Sequence, residues 1–278
     1  MTSDNPDQVH PAGAPATGTG DTATPGNAAP ALNTLRWSDP LRWLVLGWRD
    51  FIRAPGIGVF YGLVFMVMGW ALLKVYEQAP AYTLALSAGF LLMGPFLCLG
   101  LYRVSQRLET GRKPDFGDSL LAWDTRTGQL AIFGFVLLVL EMLWGRATLV
   151  VFAVSFEGMP DFKGSLMALL DHGKISFITA WAAVGALFAG LIFAVSVISI
   201  PMILDRQTDA ITAGQTSLRL VLTQTGVMLW WGALIAVITS LSMLPWFVGL
   251  LVTAPVIGHA SWHAYRAAVV PPEPGPGA

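Results

Sequence analysis

Three features of the sequence predict an all-α polytopic membrane protein with six transmembrane helices and a preceding interfacial amphipathic helix. The 278-residue chain is 54% hydrophobic and only 12% charged, with mean hydropathy +0.61, whereas roughly a quarter of an ordinary soluble domain is charged. Its apolar residues gather into successive runs long enough to cross a hydrocarbon core. Its arginines and lysines fall mainly in alternate connections between those runs.

The first run, residues 57–73, carries no charge. At the helical rise per residue it reaches about 26 Å, and Lys74 is placed to snorkel outward, so span one is expected at 57–74. Spans two, three and four are expected at 80–102, 129–156 and 175–203, the third interrupted by Glu141 and Arg146. Residues 220–265 contain no Asp, Glu, Lys or Arg, about twice the length that one crossing needs. A turn at Leu244-Pro245-Trp246 divides them into spans at 224–244 and 246–265. The membrane domain therefore covers 36–268.

The flanks read differently. Residues 1–35 are rich in Ala, Gly, Pro, Thr and Asp and offer too little apolar surface to offset the entropy of ordering, so a disordered cytoplasmic tail is expected. No basic region precedes an apolar one there, and no cleaved export signal is expected. Residues 269–278 form a second short disordered tail.

Charge sets the threading. Arg36, Arg42, Arg49 and Arg53 precede span one; Arg103, Arg107, Arg112, Lys113 and Arg126 fill the second connection; Arg206 and Arg219 the fourth; Arg266 the end. The opposite side shows only Lys74, Lys163 and Lys174. Both termini are expected in the cytoplasm, which requires an even number of crossings. Trp70 and Trp246 would line the outer interface, with Trp123, Trp230, Trp231 and Trp262 at the inner one.

Ahead of span one, Asp39-Pro40 signals a helix start. Leu41, Leu44, Val45, Trp48 and Ile52 recur at helical spacing, with Arg42, Arg49 and Arg53 on another face, and Pro55-Gly56 ends the pattern. Such a helix is expected to lie against the bilayer, with Trp43 and Trp48 in the acyl boundary and Arg42, Arg49 and Arg53 on anionic head groups. Phospholipid is thus the expected partner, and a docking face for an unidentified membrane or cytoplasmic protein is the alternative. With a formal net charge of −1, nucleic acid is not one.

Spans two, four and six each carry a proline near the cytoplasmic exit, Pro95, Pro201 and Pro255, where kinks are expected. Ser119-Leu120 precedes Thr127-Gly128 at the spacing by which Ser217-Leu218 precedes Thr225-Gly226, a pattern of duplicated helical hairpins. DFGDSLLA at 115–122 also resembles DFKGSLMA at 161–168. Gly58 and Gly62 form a GxxxG face in span one, and Ala182, Ala186, Gly190 and Ala194 a small-residue stripe in span four; both suit close packing inside the bundle.

Few residues offer chemistry. Glu141 with Arg146 is the candidate intramembrane polar site, because an ionised carboxylate at that depth costs several kcal/mol unless paired or hydrated. If span three ends near Trp144, both charges instead sit at the outer interface. His259 and His263 lie one helical turn apart, weak candidates for a metal because no third ligand is evident. Asp205-Arg206 suits a charge pair tying the fourth connection to the bundle. Cys98 is the single cysteine and forms no internal disulfide. No nucleophile set, Walker loop or dinucleotide fingerprint is present, so neither a cofactor nor enzymatic activity is expected.

LGWRDFIRAP, GFLLMGPFLCLGLYRVSQRLETG, IPMILDRQTDAITAGQTSLRLV and PVIGHASWHAYR, taken in order, make the chain similar to the bacterial predicted integral membrane proteins grouped as domain of unknown function 2189. The resemblance covers about residues 36–268. It implies a multi-span inner-membrane protein of unassigned function, with no catalytic residue to carry over. Two readings follow: a non-enzymatic structural or scaffold-like membrane component, or a small transporter or channel with a site near Glu141. A wet, polar cavity at mid-depth would mark the second.

Overall fold

The computed structural model describes residues 30–79, 83–155, 172–206 and 208–271. Among them, the chain forms α1 (Asp39–Arg53), α2 (Pro55–Gln78), α3 (Thr83–Glu109), α4 (Phe116–Leu120), α5 (Thr127–Ser155), α6 (His172–Ser196), α7 (Ser199–Arg206), α8 (Ala210–Thr223), α9 (Thr225–Met243) and α10 (Leu250–Ala268). A 3₁₀ turn at Asp124–Arg126 leads into α5. The tail sequences before residue 30 and after residue 271, and the likeness at 161–168, lie outside the described residues.

Among the described residues, five segments are long and apolar enough to cross a membrane: Pro55–Gln78, Leu86–Glu109, Thr127–Ser155, Ile175–Arg206 and Thr225–Met243. They match the first five expected spans. The sixth, α10, forms a helix but is not among the five. α10 is too polar in composition, carrying His259, Ser261, His263, Tyr265 and Arg266. It packs against α1, α2, α3, α7 and α9, so His259, Trp262 and Tyr265 meet protein rather than lipid.

Helix boundaries follow local chemistry. Asp39 is the first residue of α1, not its cap, and its carboxylate turns back to accept the Arg36 N–H at 2.7 Å. Asp209 caps α8, accepting the N–H groups of Ile211 and Thr212 at 3.1 and 2.9 Å. Pro95 and Pro255 lie inside α3 and α10. Pro201 does not kink a continuous helix as expected: the chain breaks between α6 and α7, and Pro201 falls in the first turn of α7. A missing N–H costs nothing there, because first-turn donors lack an intrahelical acceptor anyway.

The packed core sits at the end of the bundle that carries both described chain ends. Trp43, Leu101, Phe133, Ile198, Trp231 and Trp262 are among its buried side chains. Leu35, expected in the tail, belongs to it, and Leu32 packs against it. Leu32 pairs antiparallel with Val269, and the buried Leu35 donates its N–H to Gln224 Oε1 at 2.6 Å. Val269, expected in the other tail, is buried as well. Trp231 and Trp262 are fully buried, so neither joins an interfacial belt, whereas Trp123 and Trp246 are exposed. The matching serines take one role: Ser119 donates to the Gly100 carbonyl at 3.0 Å and Ser217 to that of Ala194 at 2.7 Å, each on the preceding long helix.

At the other end, the turn between α9 and α10 holds Trp246 and Phe247 at φ of 55° and 63°, a left-handed conformation that costs non-glycine residues of order 1–3 kcal/mol each. α2 supports it: Trp70 donates its indole N–H to the Trp246 carbonyl at 2.6 Å, and the Phe247 ring lies against Gly69.

Gly58 and Gly62 do pack closely, against the Phe51 ring and the Leu251 backbone. The stripe on α6 packs only at Ala194, which is buried in the core; Ala182, Ala186 and Gly190 face outward, with no atom near where a Gly190 side chain would stand. Gly47 lets α1 touch α10, where an added Cβ would lie 2.7 Å from the Ala260 nitrogen. Gly47→Ala and Gly62→Ala are each expected to lower unfolding stability in detergent by about 1–3 kcal/mol, whereas Gly190→Ala leaves it unchanged. Equal denaturation midpoints for all three would refute this packing.

Candidate functional site

α1 has three sectors rather than two. Leu41, Val45, Trp48 and Ile52 form an apolar stripe, each about half exposed. Arg42, Arg49 and Arg53 are exposed about a quarter-turn round the helix. The third sector, Trp43, Gly47, Asp50 and Phe51, is buried against the bundle. Trp43, expected in the acyl boundary, is instead a core residue whose ring meets Trp231 edge to face with centroids 5.5 Å apart. Its spacing suits either environment; only the position of α10 decides.

Where α1 meets α3 and α10, a buried polar junction forms. Asp50 Oδ2 accepts the Ser105 hydroxyl at 2.8 Å and lies 2.8 Å from His263 Nε2. Ser105 Oγ is also 2.8 Å from His259 Nδ1. A hydroxyl has one proton, so with Ser105 donating to the carboxylate, His259 must donate Nδ1–H to the serine oxygen. That assigns the His259 tautomer and leaves buried Nε2 as an acceptor with no donor among the described residues. These are a Ser, a His and an Asp in contact, but not an activated nucleophile. The serine proton goes to the carboxylate, and the imidazole donates where a general base would accept.

The junction also answers the histidine pair. His259 and His263 are brought together by Asp50 and Ser105, and among the described residues no group of three His, Cys, Asp or Glu side chains is arranged to hold a metal. Burial pushes the Asp50 carboxyl up, but hydrogen bonds from His263 and Ser105 and the nearby imidazoles together hold it below its ordinary value of 3.8.

Glu141 lies on the buried face of α5 with Leu130, Phe133 and Leu137, and its Oε2 is buried without a hydrogen-bond partner among the described residues. Arg146 is exposed and makes no ion pair with it. The two are not brought together. One turn beyond Glu141, Trp144 lines a cavity of about 980 Å³, walled also by Gly69, Pro95, Cys98, Trp181 and Met243. Its wall is overwhelmingly apolar and does not include Glu141. An ion entering it would lose hydration with little in return.

Asp205 and Arg206 tie the fourth connection to the bundle, though not through each other. Asp205 accepts from Tyr265 Oη at 2.6 Å and Gln106 Nε2 at 2.9 Å, while Arg206 donates to Tyr265 Oη and to the carbonyls of Val269 and Val270. Sequence reasoning missed Asp50 and Ser105. An acid among the arginines of an apolar helix was the available signal, because it needs a buried partner and the histidine pair supplies one.

Residues 83–205 match the model of a family described as predicted integral membrane protein, DUF2189. The match runs from α3 through Asp205 in α7 and is narrower than the resemblance expected over 36–268. No curated protein and no solved structure shows significant similarity to the chain.

Because Oε2 of Glu141 is desolvated without a partner, Glu141→Leu is expected to raise stability by about 1–2 kcal/mol; a lower denaturation midpoint would reveal a stabilising role for the carboxyl. Asp50, held below its ordinary value, contributes stability that is complete above about pH 4 and is lost as pH falls through its depressed value. Asp50→Asn should therefore flatten the acid limb of the stability profile. An unchanged limb would assign it to other groups.

Proposed function

We propose that this protein crosses the inner membrane six times, with both ends in the cytoplasm, as a non-enzymatic, non-conducting structural component held to anionic phospholipid by α1. The three-sector form of α1 carries this reading. A helix fixed to the bundle on one side and presenting an apolar stripe beside a row of guanidiniums suits the boundary between acyl chains and anionic head groups. The Leu32–Val269 bridge supports the threading, because chain ends joined at one end of a spanning bundle require an even number of crossings. α10 is then the sixth crossing, its polar side chains shielded by its neighbours.

The apolar wall of the large cavity favours a component that does not conduct ions. A small transporter is the alternative, and its support is the buried, unpartnered carboxyl of Glu141. Ion-flux and lipid-retention measurements separate the two. Wild-type proteoliposomes should show potassium and proton flux at the background of empty vesicles, and flux abolished by Glu141→Gln would establish the transporter. Each arginine near an anionic surface is worth about 1 kcal/mol. Arg42→Gln/Arg49→Gln/Arg53→Gln should therefore weaken the preference for phosphatidylglycerol over phosphatidylcholine by roughly tenfold or more in nanodiscs of mixed lipid. An unchanged preference would remove the proposed role of α1.

A further inference from the structure

At the end of the bundle that carries both chain ends, the ends of α3, α7 and α10 and the short α4 enclose a polar basin of about 490 Å³. Four arginines line it against three carboxylates. None of these residues lies on α1. The basin is therefore separate from the surface just described, and either can fail without the other.

Each carboxylate in the basin already has partners. Asp118 accepts both Nε and Nη2 of Arg103, at 3.0 and 3.3 Å, and Nη1 of Arg107. Glu109 accepts the Trp262 indole N–H at 3.1 Å and Arg266 Nε at 3.0 Å. Asp205 takes the Tyr265 hydroxyl, the Gln106 amide and, at 3.4 Å, Arg266 Nη1. The hydrogen bond from Arg103, foremost among the causes, holds the Asp118 carboxyl below its ordinary value, so it remains a counter-ion at neutral pH. No carboxylate is left over for a metal ion.

The donors are not used up. Nη2 of Arg107 and Nη2 of Arg266 have no hydrogen-bond partner among the described residues, and the Arg112 side chain, exposed at the rim, has none at all among them. Arg107 itself is fixed by its Nε–H bond to the Lys113 carbonyl at 2.9 Å. The result is a concave, partly exposed site with surplus guanidinium N–H groups, one surplus positive charge and no unpaired acceptor of comparable strength. Such a site matches a compact oxyanion with several acceptor oxygens.

We propose that the α3–α4–α10 basin binds a phosphate monoester group, with Arg112, Arg107 and Arg266 as its donors. Two sources present that chemistry at a membrane surface: a soluble phosphate compound, or the head group of a phosphomonoester lipid such as phosphatidic acid. The group sits in the gap among the guanidiniums, and the existing ion pairs keep Arg107 and Arg266 pre-positioned, which limits the ordering cost of binding.

The test uses the full-length protein, first in neutral detergent with inorganic phosphate and pyrophosphate at constant ionic strength, then in nanodiscs containing phosphatidic acid or phosphatidylglycerol. Arg112→Gln removes a side chain that has no partner among the described residues, so it should melt as the wild type does without ligand. A saturable rise in wild-type melting temperature with phosphate or pyrophosphate, weakened about tenfold by Arg112→Gln, supports a soluble ligand. Selective retention of phosphatidic acid over phosphatidylglycerol, lost in the variant and without response to free phosphate, supports the lipid source. The proposal is overturned if neither anion acts beyond an equal concentration of chloride and phosphatidic acid is not preferred. It is equally overturned if Arg112→Gln binds as the wild type does.

Discussion

The polar side chains of α10 impose the constraint on which the arrangement depends. A helix carrying His259, Ser261, His263, Tyr265 and Arg266 cannot face hydrocarbon, where an unsatisfied polar group costs several kcal/mol. It must be surrounded by elements that supply partners. α1 brings Asp50, α3 brings Ser105 and Glu109, and α7 brings Asp205. These bonds use geometry that close approach makes available: Gly47 admits the α10 backbone beside α1, and Gly258 admits Leu101 of α3. Packing and polar pairing are thus one solution, because without small residues at the crossings the donors and acceptors would stand too far apart.

This constraint also divides the molecule into two unlike halves. Near the chain ends the helices interdigitate around Trp43, Trp231, Trp262 and Phe133, with the ion pairs of the basin above them. Toward the opposite end they separate around the 980 Å³ apolar cavity. Most of the charged and hydrogen-bonding groups that meet solvent gather at the packed end, while the open end offers apolar walls, the exposed Lys74–Glu77 pair and a turn held in a strained conformation by α2. Glu141 stands between the two with no partner for Oε2 among the described residues, a departure from the rule that buried polar groups are satisfied.

Much of this was legible in the residues. The first five apolar runs reappear as long helices because a span is a local property, a stretch of sequence that gives lipid nothing polar to solvate. The amphipathic pattern at 39–53 and the GxxxG at Gly58 and Gly62 were also readable, since helical periodicity fixes which side chains share a face. Periodicity does not say what that face meets. Trp43 and Trp48 have equal claims to the acyl boundary by spacing, yet one packs on Trp231 and the other stays exposed. The small residues of α6 look like a packing stripe, yet only Ala194 is buried while Ala182, Ala186 and Gly190 point outward, for the same reason. Pro201 looked like a kink because a proline in an apolar run is ambiguous until the chain shows where the helix restarts.

The sequence by itself determined the long apolar helices, five of which suit a bilayer, the amphipathic helix before them, and that cations cluster in alternate connections. These follow from composition and order along one chain segment at a time. Only the tertiary structure decided that α10 is enclosed, that Asp50 serves two histidines through direct and serine-mediated bonds, that Glu141 and Arg146 stay apart, and that residues far apart in the chain build one arginine-lined basin. The physical reason is that burial and charge pairing belong to neighbours in space. A side chain's partner is set by how helices cross, and one-dimensional spacing leaves that undetermined.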